Sequence, residues 1–259
     1  MPYFNNEGVN IYYEIEGTGP DLVMIHGFAS NIDDNWRATN WINTLKDKNR
    51  LILMDCRGHG KSDKPTNPAQ YGLKMMEDII KLLDHLSIGK ASLFGYSMGS
   101  RLTLNVLLHE PKRVKSAILG GFALSDEPTT FIYETIIKAL KAENVKQIKN
   151  PIAQEFRRFA ESRSGNLDAL AAVMSAYVQQ PDDMFTSKAK IKKNLRKISV
   201  PLLTVVGSDD FIRGDKALFA KLVPNACHFQ IQGRDHLTVV PDPKFHMIVK
   251  AFLNYVNKT

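Results

Sequence analysis

Apolar and polar residues follow two different periods along this chain, and each period predicts a different kind of element. Strict alternation over residues 9–15 predicts a half-buried edge strand. Short unbroken apolar runs predict strands covered on both faces at 22–25 and 51–54. Shorter apolar stretches interrupted by polar residues predict further strands at 91–94, 114–119, 200–206 and 227–231. Apolar residues three and four positions apart predict helices at 36–45, 73–86, 101–109, 216–222 and 245–256.

The order of these elements predicts the fold class. Strands and helices alternate, which indicates an α/β protein with a doubly wound, mostly parallel sheet and helices on both faces. The alternation stops between residues 122 and 198, where only helical stretches occur, at 130–142, 152–162 and 167–179. This insertion is too long for a connecting loop. We therefore predict a core formed by 1–121 and 199–259 and a helical cap formed by 122–198.

Composition excludes several classes of protein. Of the 259 residues, 44% are hydrophobic, which is enough for a large core. Thirty-four basic residues against 27 acidic ones give a mild net charge of +7, with no basic–aromatic pattern typical of nucleic-acid binding. No apolar run is long enough for a membrane span, and the N-terminal residues do not resemble a signal peptide. Cys56 and Cys227 lie in predicted buried strands without metal-ligand spacing, so we expect a reduced, cytoplasmic protein without zinc.

The stretch Gly95-Tyr96-Ser97-Met98-Gly99 carries the strongest chemical signal. It stands between a predicted strand and a predicted helix, the setting in which Gly-x-Ser-x-Gly forms a tight turn that exposes the serine hydroxyl. Side chains at the two glycine positions would collide with the neighbouring strand and helix. Ser97 is thus the candidate nucleophile, and the Met98 N–H, at the start of a helix, is a candidate donor to an oxyanion.

A serine nucleophile needs a base and an acid that orients the base, both just beyond the carboxyl ends of strands. His236 is the best-placed histidine, because it directly follows the last predicted strand. The other six stand on predicted helices, inside a strand or in glycine loops: His26, His59, His85, His109, His228 and His246. Asp209 and Asp210 both follow the strand at 200–206, and spacing alone does not choose between them. A solvated loop histidine and a capping aspartate are the structural alternatives.

Five motifs together resemble the α/β-hydrolase family over nearly the whole chain outside the predicted cap. They are the serine turn, His26-Gly27-Phe28, the loop Asp55-x-Arg57-Gly58-x-Gly60-x-Ser62, and the turns Gly207-x-x-Asp210 and 233–236. The resemblance implies that Asp210 is the acid and that the Phe28 N–H is the second oxyanion donor. Some members of the family place the acid after an earlier strand, so Asp126 stays an alternative.

Departures from the family's branches narrow the expected chemistry. Ser97 stands where dehalogenases and epoxide hydrolases carry aspartate, and Met98 stands where dehalogenases usually carry tryptophan. The resemblance therefore implies hydrolysis of a small or medium carboxylic ester, lactone or thioester, with no metal or organic cofactor. A ligand-binding signalling protein, a carbon–carbon bond hydrolase and a cofactor-free perhydrolase of the same fold are the alternatives.

Two other features allow a functional and a structural interpretation. Residues 187–197 carry six basic side chains and no acidic one, and we interpret them as a solvated face rather than a docking site for an anion or a membrane. Trp36 and Trp41 could line a pocket near Phe28, but their spacing favours the core.

Overall fold

The computed structural model describes residues 2–124, 130–163, 165–179, 188–212 and 214–258. Within these ranges the strands are β1 (Tyr3–Asn6), β2 (Val9–Glu16), β3 (Asp21–Ile25), β4 (Arg50–Met54), β5 (Ala91–Tyr96), β6 (Val114–Gly120), β7 (Leu202–Gly207) and β8 (Ala226–Ile231). The helices are α1 (Trp41–Leu45), α2 (Leu73–His85), α3 (Met98–His109), α4 (Thr130–Lys141), α5 (Pro151–Ser162), α6 (Leu167–Gln179), α7 (Lys188–Leu195), α8 (Leu218–Leu222) and α9 (Pro243–Val256).

The strands form one sheet in the order β1-β2-β4-β3-β5-β6-β7-β8. The strands from β4 to β8 in this order pair in parallel, and β1 and β2 add an antiparallel edge. The predicted α/β class with a mostly parallel sheet is therefore confirmed. In such a sheet the carboxyl ends of β3, β5, β6 and β7 meet at one rim, where the segments that follow them are brought together.

Two local predictions were incomplete. The strand β1 was missed, because its four residues Tyr3–Asn6 include two asparagines and give no apolar run. The helix predicted at 36–45 is instead a five-residue π-helical turn, Asp33–Arg37, followed by the short α1. Asn40 separates the two with a left-handed φ of 65°, which no helix interior accommodates.

Alternate residues of the central strands fill two cores on opposite faces of the sheet. Val23 packs with α2 and α3 on one face, whereas Met24 packs with α9 and both tryptophans on the other. Trp36 and Trp41 are fully buried, each with its ring centroid 4.9 Å from that of Phe94. Their interpretation as core residues is confirmed.

The helices between β6 and β7 pack on one another and reach the rim of the sheet. Arg157 of α5 is buried and donates to the carbonyl oxygens of Ala139, Leu140 and Ala142, at the end of α4. These are carbonyls that a helix leaves without an internal partner. From the same helix α5, Phe156 places its ring 6.1 Å from that of Phe28, beyond β3. The division into a core and a cap stays a prediction.

The surface and the cysteines bear on three further expectations. Lys193, Arg196 and Lys197 are exposed, as a solvated basic face requires, whereas Ser187 lies outside the described residues. Cys56 is buried in the loop after β4, but Cys227 is exposed, so its predicted burial was wrong. The reason is that β8 forms the edge of the sheet. Throughout the described ranges, no helix combines the length and hydropathy needed to cross a membrane.

Candidate active site

Ser97 stands at the sharp turn between β5 and α3. Its φ of 52° and ψ of −110° lie in a region that side-chain-bearing residues rarely adopt. The turn is tight because backbones touch: a Cβ on Gly99 would lie 1.9 Å from the Ile25 carbonyl oxygen, and one on Gly95 would lie 2.2 Å from the Gly99 oxygen. Strain at Ser97 is thus held in place by the packing around it.

The structure brings Ser97, His236 and Asp210 together at the rim. The Nε2 atom of His236 lies 2.9 Å from Ser97 Oγ, and its Nδ1 lies 2.9 Å from Asp210 Oδ2. The Asp210 side chain is fully buried, and that of His236 is 10% exposed. Because a carboxylate only accepts, Nδ1 carries the proton and Nε2 is left to accept the Ser97 hydroxyl.

The acid turn is fixed by bonds to its backbone and carboxylate. Asp210 Oδ1 accepts the Ile212 N–H at 2.9 Å, and Lys216 Nζ donates to the Gly207 and Ser208 carbonyls at 3.1 Å. Asp209, by contrast, is exposed and accepts the Ser208 hydroxyl. Of the two adjacent carboxylates, only that of Asp210 faces His236. Asp126, the third candidate, lies outside the described residues.

Two residues that sequence reasoning missed support the imidazole. The buried Tyr96 hydroxyl donates to the His236 carbonyl oxygen. Burial, reinforced by the charges of Asp210 and Asp235, raises the pKa of Tyr96 well above its ordinary value, so the phenol keeps its proton. Gly121, with φ of 57°, leaves room for the ring, because a Cβ there would come 3.0 Å from His236 Cε1. Tyr96 is a variable position of its motif, so no pattern marked it.

The loop after β3 lies beside Ser97, as a Cβ on Gly27 would come 3.5 Å from the Ser97 Cβ. In the part of the chain that the structure describes, neither the Phe28 N–H nor the Met98 N–H donates to a protein acceptor. Met98 is the first residue of α3, where backbone N–H groups have no helical partner and the dipole favours negative charge.

Neutral His26 and Asn35 hold this loop in position. His26 Nδ1 donates to the Gly27 carbonyl at 2.7 Å, and Nε2 accepts the Cys56 N–H at 3.0 Å. Burial lowers the pKa of His26, which agrees with a ring that must accept at Nε2. Asn35 Oδ1 accepts the Gly27 N–H at 2.9 Å from the π-helical turn. Asn35 was not singled out from the sequence, because a buried asparagine leaves no periodic signal.

The loop after β4 has a structural role. The Asp55 carboxylate accepts the N–H groups of Ile32 and Lys61 at 2.8 and 2.7 Å. Arg57 forms two hydrogen bonds to Asp78, at 2.6 and 2.5 Å, with both side chains about 1% exposed. Burial raises the pKa of Asp78 even though Arg57 opposes that effect. This loop therefore anchors the rim without contacting Ser97 in the described hydrogen bonds.

Three phenyl rings, those of Phe28, Phe156 and Phe211, lie near the candidate site at the rim of the sheet. The Phe211 ring centroid lies 4.6 Å from that of His236 and 6.1 Å from that of Phe156, which lies 6.1 Å from Phe28. Among the residues described, no group of three or more His, Cys, Asp or Glu is placed to hold a metal ion.

Comparisons with known proteins identify the family of this chain. The chain belongs to the alpha/beta hydrolase fold family, whose sequence profile matches residues 20–243. It is 28% identical to the 3-oxoadipate enol-lactonase 2 of Acinetobacter baylyi, over 92% of this chain and 90% of that protein. It is 27% identical to the pimeloyl-[acyl-carrier protein] methyl ester esterase of Nitrosospira multiformis, over 81% of this chain and 84% of that protein.

A solved structure extends the likeness to the whole fold. The crystal structure of a hydrolase from Pseudomonas aeruginosa superposes with a TM-score of 0.79 at 24% identity, covering 97% of both chains. Two further relatives, from Bacillus subtilis and Pseudomonas putida, match over only 114 and 147 residues, so the chain spans 40% and 39% of their lengths. Relatives with different activities thus share this fold, and the fold alone does not choose a substrate.

Proposed function

We propose that this protein is a serine hydrolase that cleaves a small or medium carboxylic ester, lactone or thioester through an acyl-enzyme on Ser97. The observation that carries the proposal is the continuous chain of contacts from Ser97 through His236 to Asp210, at 2.9 Å for each step. A strained serine, an imidazole in the accepting tautomer and a buried carboxylate are what nucleophilic acyl transfer requires.

In the proposed mechanism, Ser97 Oγ attacks the carbonyl carbon while His236 Nε2 takes its proton. Asp210 holds the imidazole orientation and stabilises the imidazolium. The Phe28 and Met98 N–H groups donate to the oxyanion of the tetrahedral intermediate. His236 then gives its proton to the departing alcohol or thiol, and a water molecule activated by the same imidazole releases the acid from Ser97.

The relatives support the choice of reaction, and a contact of α5 supports the choice of substrate size. The names of two relatives that match most of this chain describe a lactonase and a methyl ester esterase. We also propose that residues 122–198 form a cap, since Phe156 of α5 contacts Phe28 beyond β3. A covered site of this kind favours substrates that fit beneath the helices over long-chain lipid esters.

A fluorophosphonate probe tests the proposal directly, because it reacts with a serine activated in this way. We expect one adduct on the peptide that contains Ser97, measured by mass spectrometry. Ser97→Ala should abolish the adduct, whereas Ser199→Ala, at an exposed serine between α7 and β7, should keep it. An unmodified Ser97 peptide, under conditions that label a known esterase, would overturn the proposal.

A further inference from the structure

The proposed mechanism places the two ends of an ester on different sides of Ser97. The carbonyl oxygen must face the Phe28 and Met98 N–H groups. The departing oxygen must lie within reach of His236 Nε2, since that nitrogen returns the proton taken from Ser97. Whatever side chain borders the open side of the imidazole therefore borders the leaving group.

Among the described residues, the rings of Tyr96 and Phe211 both pack against the imidazole, and Phe211 is the exposed one. Its ring centroid lies 4.6 Å from that of His236, with an angle of 51° between the ring planes. It directly follows Asp210, whose turn Lys216 ties down through three backbone carbonyls. The ring also contacts Phe156 of α5, at 6.1 Å and 76°. Phe211 is thus held from two sides at a defined place.

The ring is nevertheless open, because 52% of Phe211 is exposed. An exposed phenyl ring against a candidate catalytic imidazole leaves apolar surface in water that a bound group could cover. The positive charge of Lys216 is not directed at this surface, because its Nζ donates to the carbonyls of Gly207, Ser208 and Asp210.

We propose that Phe211 determines specificity for the leaving group and favours esters of apolar, above all aromatic, alcohols. This inference rests on the proposed function. Ring-on-ring contact strengthens binding by about twofold to tenfold beyond the burial of apolar area. Phe156 supports the ring from α5, so the selectivity combines a residue of the acid turn with one of the predicted cap.

The test compares two acetate esters, benzyl acetate and methyl acetate, on the wild-type protein and its variants. The acyl group is constant and the two alcohols are of similar acidity, so the ratio of kcat/KM reports contacts of the leaving group. In Phe211→Ala we expect kcat/KM for benzyl acetate to fall about tenfold and that for methyl acetate to change less than about twofold. Phe211→Leu, which keeps apolar bulk without a ring, should give an intermediate ratio.

Phe229→Ala is the matched control, because Phe229 is a phenyl ring of similar exposure, 45%, on the edge strand β8. It should leave the ratio unchanged. An equal fall for both esters in Phe211→Ala would show that Phe211 only positions His236, and would overturn the inference while leaving the hydrolase standing. Unchanged kcat/KM values for both esters in Phe211→Ala would also overturn the inference. No turnover of any ester, together with an unlabelled Ser97, would overturn the proposed function and this inference with it.

Discussion

Replacing Asp210 by asparagine should disable the site by reversing the imidazole tautomer. Both carboxylate oxygens of Asp210 face N–H donors. Oδ2 is the nearer to His236 Nδ1, at 2.9 Å, whereas Oδ1 lies 3.1 Å from Nδ1 and accepts the Ile212 N–H at 2.9 Å. An asparagine has only one acceptor oxygen. If that oxygen stays with the fixed Ile212 N–H, the amide NH₂ faces Nδ1, which must then accept, and the proton moves to Nε2.

With the proton on Nε2, His236 cannot take the Ser97 proton. We expect kcat to fall on the order of 10⁴-fold, which is about 5 kcal/mol of transition-state stabilisation. The assay is the hydrolysis of p-nitrophenyl acetate, with circular dichroism to show that Asp210→Asn stays folded. Asp209→Asn is the matched control, because Asp209 is exposed and its side chain bonds only to Ser208 in the described contacts, so it should lose less than about twofold. If Asp209→Asn or Asp126→Asn were the crippled variant and Asp210→Asn were nearly wild type, the tautomer argument would be refuted.

Two further predictions concern the stability of the scaffold around the site. Gly99→Ala would place a methyl group 1.9 Å from the Ile25 carbonyl oxygen, so we expect the free energy of unfolding in urea to fall by about 3 kcal/mol or more. Gly89→Ala is the control, because a Cβ there meets nothing within 4 Å, and it should cost less than about 0.5 kcal/mol. Equal losses in the two variants would contradict the contact at Gly99. Burial lowers the pKa of His59 to about 3, so at pH values between about 3 and 6.5 the unfolded chain binds a proton at this residue and the folded chain does not. The contribution of neutral His59 to the free energy of unfolding is therefore complete above about pH 6.5 and declines as the pH falls toward 3. His59→Gln should therefore make the unfolding free energy less steep by about 1.4 kcal/mol per pH unit between about pH 6 and pH 4, and a slope equal to that of the wild type would count against this origin.

The sheet could be predicted because its strands carry a strong local signal. The runs 22–25 and 51–54 are apolar throughout, since both faces of each strand are buried. Where burial is one-sided or the element is short, the signal fades. The edge strand β1 and the turn at Asp33–Arg37 depend on contacts with distant segments, which no local pattern encodes.

The candidate site divides in the same way. Ser97 and His236 could be singled out because each follows a recognisable strand, and the choice of Asp210 over Asp209 needed the family's turn pattern. The residues that hold the site in position could not be predicted from the sequence. Asn35 bonds to Gly27 at 2.9 Å, Tyr96 bonds to the His236 carbonyl, and Gly121 leaves room beside the imidazole ring. Such contacts exist only after the sheet has formed.

The 2.9 Å contact between Ser97 and His236 joins residues 139 positions apart in the chain. Within this stretch of chain, β6 pairs with β7, so the helices between the two strands must form a closed loop before the pairing is complete, and β8 then pairs with β7. Closing loops of this length costs entropy before any contact compensates for it, which makes such pairings slow. During refolding from urea, ester hydrolysis should therefore return later than far-ultraviolet ellipticity, so that turnover reports the arrival of the last strands rather than the formation of helices.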